Sequence, residues 1–291
     1  MQDLYLAVLV MAVASAVAGL CTGTWAWSDK GQRVILLMAV AIFSAVIFQF
    51  YGAGQLFWAT VMPSSAAIIY SNVAPVLIGA SAGWATRVPG IPRGRRAGLA
   101  LALSLTAVVA LFWPLLSILL RPPPEGADHW DGPVALQTSW ATCSPAAAAT
   151  LLRGEGIPVS EREMIPLCLT DSAGTPTLGL YRGVKLIANR QSMDVRVVER
   201  SLQELIEQNR WPVLIAVKLP YGVSDPRYVE QWGWIPGMGH SVVIAGFDDG
   251  HSGLDDATFV VADPSTGLER WSIDDMRVLW HGDGIRLVDS E

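Results

Sequence analysis

Four stretches of this chain, at about 4–27, 34–57, 64–85 and 97–120, contain no Asp, Glu, Lys, Arg or His at all. A helix that crosses a bilayer needs roughly 20 apolar residues. A helix on the surface of a soluble core carries a polar stripe on its outward side, and none of these four does. Residues 1–120 are therefore expected to form an all-α transmembrane region of four helices, with the lipid bilayer as partner, in a multi-pass integral membrane protein. Trp25, Trp27, Tyr51, Trp58 and Trp84 fall near the ends of the runs, where aromatic rings favour the interface. Pro75 and Pro114 are expected to kink their helices, which membrane helices tolerate. The first run has small residues at Ala14-Ser15-Ala16, but no basic residue precedes it and three more runs follow. It reads as a span and not as a cleaved signal.

Charge divides the chain at the same place. Residues 1–120 hold six basic residues and two acidic ones, a net of +4; the remaining 14 basic and 24 acidic residues give −10. Between the halves lies Arg121-Pro122-Pro123-Pro124-Glu125-Gly126, a polar, proline-rich stretch read as a linker over 121–133. The soluble domain is expected over 134–291. Hydrophobic residues make up 52% and charged residues 16% of the whole, which excludes a disordered chain. The acidic excess excludes a nucleic-acid binder, which needs clustered basic charge. Lys30 and Arg33 lie in the first inter-span loop and four arginines in the third (86–96), whereas the second loop has none. Loops one and three are therefore expected in the cytoplasm, and the soluble domain outside it. The spans carry no charge to mark an ion path or proton relay, so an anchor is expected in place of a transporter or sensor.

The second half alternates differently. Residues 144–153 are Ala-rich, with Pro145 in a first helical turn. Ser160-Glu161-Arg162-Glu163 and Ser201-Leu202-Gln203-Glu204 have capping-box spacing, and Ser272-Ile273-Asp274-Asp275 caps a third short helix. Residues 177–189 show helical spacing. Strands are expected at 193–198, 212–219, 241–247, 258–262 and 284–288, with a hairpin across the acidic turn 248–256. Helices first and a mostly antiparallel sheet afterwards give an α+β order.

Three cysteines without a Cys-x-x-Cys pattern exclude a disulfide scaffold and make a structural zinc site unexpected. Cys21 reads as a small apolar residue of the first span. Cys143 stands at the start of the Ala-rich helix, where the helix dipole and free N–H groups favour the thiolate. Placement alone leaves a buried structural cysteine open. Gln137, six residues earlier, has the reach to form an oxyanion hole with the Cys143 N–H. His240 opens the strand Gly239-His240-Ser241-Val242-Val243-Ile244 and can serve as general base and acid. Asp263, before Pro264, can fix the imidazole tautomer. His129, His251 and His281 read as solvated or capping residues. Tyr228, Trp232 and Trp234, in the loop before His240, either wall the cleft or pack under the sheet.

Gln-x5-Cys, the Ala-rich helix, Gly-His-x-Val-Val-Ile and Asp-Pro together resemble the C39 family of papain-like cysteine peptidases. Leu151-Leu152-Arg153-Gly154-Glu155-Gly156-Ile157, Gly174-Thr175-Pro176-Thr177-Leu178-Gly179-Leu180 and Trp211-Pro212-Val213-Leu214-Ile215 extend the resemblance over about 134–288. The membrane half lies outside it. Members usually have Gly after the nucleophile, in Cys-Gly-Pro; here it is Ser144, small enough that activity is expected to persist.

The resemblance implies a papain-like domain in which Cys143 is the nucleophile, His240 the base, Asp263 its orienter and Gln137 an oxyanion donor, with no metal or organic cofactor. It implies a peptide or protein substrate, of the leader-peptide type that many members cut after a double glycine. Many such members are fused to an ATP-driven exporter. This chain has no Gly-x4-Gly-Lys-Ser/Thr phosphate loop, so an exporter would be a separate partner. The alternative is a catalytically silent peptide-binding module on a membrane anchor.

Overall fold

A computed structural model of the protein describes residues 1–25, 32–198, 201–250 and 257–290. Trp27, Lys30, His251, Asp255 and Asp256, and with them most of the first inter-span loop and of the 248–256 turn, lie outside the described residues. The chain forms two compact units, one comprising Met1–Trp58 and Met62–Leu120, the other built on Arg121–Glu291.

The elements of the first 120 residues are all helical: α1 (Gln2–Trp25), α2 (Gln32–Ile47) running into a π-helical turn at Phe48–Gly52, α3 (Phe57–Val61), α4 (Ala67–Tyr70), α5 (Ala74–Ala85) and α6 (Arg93–Leu120). Four helical stretches, Gln2–Trp25, Arg33–Gly52, Ala67–Ala85 and Arg93–Leu120, are long and apolar enough to cross a membrane. Small residues set their packing. A Cβ added at Gly83 would sit 2.1 Å from the Gly19 carbonyl oxygen, and one at Gly79 would sit 2.6 Å from that of Ser15. Backbones this close allow interhelical bonds: Ser15 Oγ donates to the Pro75 carbonyl (2.7 Å) and Thr22 Oγ1 to that of Ala80 (2.8 Å). Leu6, Leu20, Phe43, Phe50, Leu101 and Leu119 point outward, all at least 60% exposed, as an apolar surround would favour.

One of the two prolines acts differently from expectation. Pro75 kinks nothing; it opens α5, in the first turn, where its missing N–H costs no helical bond. The third stretch is accordingly broken between Tyr70 and Ala74. Pro114 is inside α6 and cannot donate to the carbonyl of Ala110. The Asn72 side-chain amide supplies that bond instead, at 3.0 Å.

The second unit begins with a small antiparallel pair, β1 (Trp130–Asp131) and β2 (Val134–Ala135), then α7 (Cys143–Gly154), α8 (Glu161–Leu167) and α9 (Thr177–Arg190). Then follow β3 (Met193–Val197), α10 (Leu202–Gln208), β4 (Val213–Lys218), a π-helical turn at Arg227–Gln231, β5 (Gly239–Asp248), β6 (Thr258–Asp263), β7 (Gly267–Ser272), α11 (Ile273–Leu279) and β8 (Trp280–Asp289). The six-stranded sheet runs β3-β8-β4-β5-β6-β7 with every neighbouring pair antiparallel. The fold is α+β, helices before sheet. The proline-rich stretch after α6 is fastened to this unit: Arg121 pairs with Asp171 at 2.6 Å, and Ala127 N–H donates to the buried Glu161 carboxylate at 2.9 Å.

Capping follows the spacing for two helices. Ser160 with Glu163, and Ser272 with Asp275, each form the reciprocal pair of bonds. At α10, Ser201 Oγ accepts from Glu204 N–H, at 3.4 Å. Strand β7 was not expected. It is an edge strand carrying Glu269 and Arg270, with Leu268 half exposed, so it lacks the apolar run of its neighbours.

The sheet's core holds Val213, Ile215, Val242, Ile244, Phe259, Val261 and Trp271, all fully buried. Helix α7 packs on β5. Its Ala146, Ala147, Ala148 and Ala149 have no exposed surface, and side chains this short let the helix backbone come close to the strand. That approach positions the candidate site.

Candidate active site

Cys143 is the first residue of α7. The helical ladder begins with Ala146 N–H donating to the Thr142 carbonyl at 3.1 Å, and Pro145 has no N–H. The Cys143 and Ser144 N–H groups therefore have no partner within the helix. The Thr142 side chain does not cap them; it turns back to Ser139, donating to its carbonyl at 2.9 Å. The helix end keeps its free donors and its positive dipole for whatever lies beside the thiol.

Strand β5 brings His240 to that helix end. The imidazole and the Cys143 thiol line the same cleft and favour each other's charged form, and His240 Nε2 lies 2.9 Å from Asp263 Oδ1 at the end of β6. Register explains the encounter, since Val243 in β5 stands opposite Ala262 in β6. Ser265, two residues past Asp263, donates to the same Oδ1 from its N–H (2.7 Å) and its hydroxyl (2.6 Å). This Asx-type turn was not anticipated, although Asp-Pro-Ser carries its signal.

The electrostatics follow from these contacts. Burial alone would discharge the Cys143 thiolate, but the His240 hydrogen bond and charge, with Ser241 N–H and Ser144, outweigh it and hold the thiol below its ordinary pKa. Burial likewise opposes charge on His240, yet Asp263 and Cys143 raise it to about 10. Asp263, despite burial, is held down by His240 and Ser265. Each of these shifts favours the charged form: thiolate on Cys143, imidazolium on His240 and carboxylate on Asp263. Cys168 is the opposite case: fully buried, its thiol is pushed up to about 12.

Gln137 is held from two sides. Its N–H donates to the Pro264 carbonyl at 2.8 Å, and the next residue's N–H, of Thr138, donates to Glu161 at 2.8 Å. The side chain is half-buried and its Oε1 has no hydrogen-bond partner among the described residues. It is not among the residues lining the cleft. That cleft, of about 260 Å³, runs past Cys143 and His240 between Trp140 and Met238 on its rim and Gly174, Thr175 and Leu180 along its wall.

The aromatic loop divides between its two readings. Trp232 stacks on Trp271 at 6.1 Å and Tyr228 donates to Asp275 at 2.8 Å, both within the core. Trp234 stands perpendicular to the His240 ring, centroids 5.4 Å apart. None of the three lines the cleft. His281 Nε2 lies 3.2 Å from the Lys218 carbonyl on the surface. Among the described residues, no group of three or more His, Cys, Asp or Glu could hold a metal ion.

An uncharacterized protein of Methanothermobacter marburgensis is 36% identical over 75 residues, 26% of this chain; the chain spans half the length of that relative. Among solved structures, the peptidase domain of Streptococcus ComA, a bi-functional ABC transporter involved in a quorum-sensing pathway, matches 54% of this chain and 97% of its own. Its identity is 18% and its TM-score 0.41. A double glycine motif protease from an AMS/PCAT transporter, solved with the leader peptide, matches 57% of this chain and 96% of its own at 16% identity and a TM-score of 0.39. The Peptidase_C39 like family matches residues 130–280, just over half the chain and the whole stretch from β1 through the start of β8. With four apolar helices ahead of it, the chain belongs to the Peptidase_C39 like family.

Proposed function

We propose that this protein is a membrane-anchored cysteine peptidase that cleaves peptide bonds by a Cys/His/Asp mechanism. The observation that carries the reading is that Cys143 and His240 line one cleft, with His240 bonded to Asp263 behind it. The Cys143 thiolate attacks the carbonyl carbon of the scissile bond. The oxyanion that forms is met by the Cys143 N–H at the α7 terminus and by the Gln137 amide. His240, as imidazolium, gives its proton to the departing amine nitrogen as the C–N bond breaks, leaving a thioester on Cys143. It then takes a proton from water, the water oxygen attacks the thioester, and the thiolate leaves with the acid product. Asp263 keeps Nε2 as a donor toward itself and so leaves Nδ1 for the thiol.

The substrate is a peptide or protein, of leader type as the resemblance suggests, and a separate exporter is the natural companion. The four apolar helices are read as a multi-pass anchor, with the basic third loop in the cytoplasm and the peptidase unit outside it. The catalytically silent alternative predicts a cleft that binds without reacting. A peptidyl acyloxymethyl ketone separates the two: the thiolate displaces the carboxylate and stays alkylated. The peptidase reading expects one adduct per chain, on Cys143, lost in His240→Ala. A protein that stays unlabelled at neutral pH overturns it.

A further inference from the structure

The residue that departs from the family's Cys-Gly-Pro pattern is not idle. Ser144 Oγ lies 2.8 Å from Ser241 Oγ, and 3.9 Å from Cys143 Sγ. Both serines are buried, 7% and 5% exposed, and both line the cleft. Each follows a member of the dyad directly, Ser144 after Cys143 and Ser241 after His240. The hydroxyl pair therefore joins the first turn of α7 to the first residues of β5 at the point where nucleophile and base meet.

Donor and acceptor roles follow from the chemistry of the sulfur. A thiolate only accepts, so the Ser144 hydroxyl must donate to it. The Ser144 oxygen then has lone pairs free, and the Ser241 hydroxyl donates to one of them. This orders the bonds as Ser241 to Ser144 to sulfur, a short relay in which each donor polarises the next. Two buried hydroxyls with one use between them are otherwise an odd choice, because burying a hydroxyl costs free energy unless it is bonded, and the usual Gly would avoid the cost.

We propose that Ser144 and Ser241 form a hydroxyl clasp that positions Cys143 against His240 and donates to the thiolate, making both serines positioning residues of the reaction. The inference rests on the reading of Cys143 as nucleophile. Both residues act through Cys143 and exchange no proton with substrate. The lowered thiol pKa, to which Ser144 and Ser241 both contribute, agrees with this arrangement.

The test is the rate of Cys143 carboxamidomethylation by iodoacetamide from pH 4 to 9, read by mass spectrometry on the full chain in detergent micelles. Ser144→Ala should move the midpoint of the rate profile upward and slow alkylation below neutral pH by roughly 10-fold, the scale of a lost hydrogen bond to a charged group. Ser241→Ala should give a smaller shift in the same direction, and the double variant should be no worse than Ser144→Ala, because the relay is already broken. Ser144→Thr, which keeps the hydroxyl, should restore the profile. Melting temperature reports folding separately for every variant, and Ser144→Gly gives a second hydroxyl-free protein should Ser144→Ala fail to fold. A low midpoint in the wild type that is unmoved by both hydroxyl-free variants overturns the clasp and leaves the peptidase reading standing. Additive effects of the two serine changes overturn the relay order. An ordinary thiol midpoint in the wild type, near 8.5 and indifferent to His240→Ala, overturns both the clasp and the nucleophile.

Discussion

His240 Nε2 and Asp263 Oδ1 are 2.9 Å apart, and that same carboxylate oxygen also accepts two bonds from Ser265. Asp263 is thus locked in place before it meets the imidazole. Asp263→Asn keeps the shape but can present an N–H to Nε2, favouring the wrong tautomer. In serine enzymes the corresponding change costs roughly 10⁴ in kcat. Here the loss should be well below that, because a Cys–His pair can already exist as thiolate and imidazolium and needs less help from the carboxylate. Steady-state kinetics of Asp263→Asn checks it, and Ser265→Ala should weaken turnover less than Asp263→Asn does.

The pair also fixes a pH window. Cys143 is held below its ordinary value, so the acid limb of activity, where the thiolate protonates, should lie below that of an ordinary thiol. His240 keeps its proton up to about pH 10, so the leaving-group acid is lost only above that. The kcat/KM profile should be a broad plateau across neutral pH, falling at both ends. A single limb centred near the ordinary imidazole pKa of about 6.5 would contradict the ion pair.

Gln137→Ala should cost about 10²–10³ in kcat, the usual effect of removing one oxyanion donor, with KM little changed. The backbone anchors of this segment, Gln137 N–H to Pro264 and Thr138 N–H to Glu161, survive the substitution, so the loss would report the amide alone. Full activity would make Gln137 a structural residue and assign the oxyanion to other donors.

Topology is a separate prediction. A reporter joined after Glu291 should be active outside the cytoplasm, and one inserted in the basic loop between α5 and α6 should report cytoplasm. A cytoplasmic signal from the Glu291 fusion would invert the anchor.

What could be read from the residues was local. The Ser160/Glu163 and Ser272/Asp275 boxes cap their helices through bonds three residues apart. The uncharged runs announce long apolar helices because composition alone determines that. Cys143, His240 and Asp263 were singled out by a motif, and the fold puts Cys143 and His240 on one cleft with Asp263 bonded to the imidazole. What escaped depends on distant partners. The Ser144–Ser241 bond joins residues 97 apart in the chain, and although Ser144 stands where the family usually has Gly, nothing in its own neighbourhood points to Ser241. The break before Pro75 was misread because an apolar run looks continuous whether or not its helix is; only the proline's place in the first turn of α5 shows the interruption. Strand β7 hid for the opposite reason: as a charged edge it lacks the apolar run of an interior strand, and its pairing with β6 identifies it.

The central claim is that Cys143 cuts peptides, and the most direct measurement compares the new peptide N-termini in membrane and secreted fractions of cells making the wild-type protein with those making Cys143→Ala at equal level. A defined set of N-termini should be present with the wild type and absent with the variant, their precursors accumulating uncut. Identical N-termini from the two, with both proteins folded and in the membrane, would contradict it.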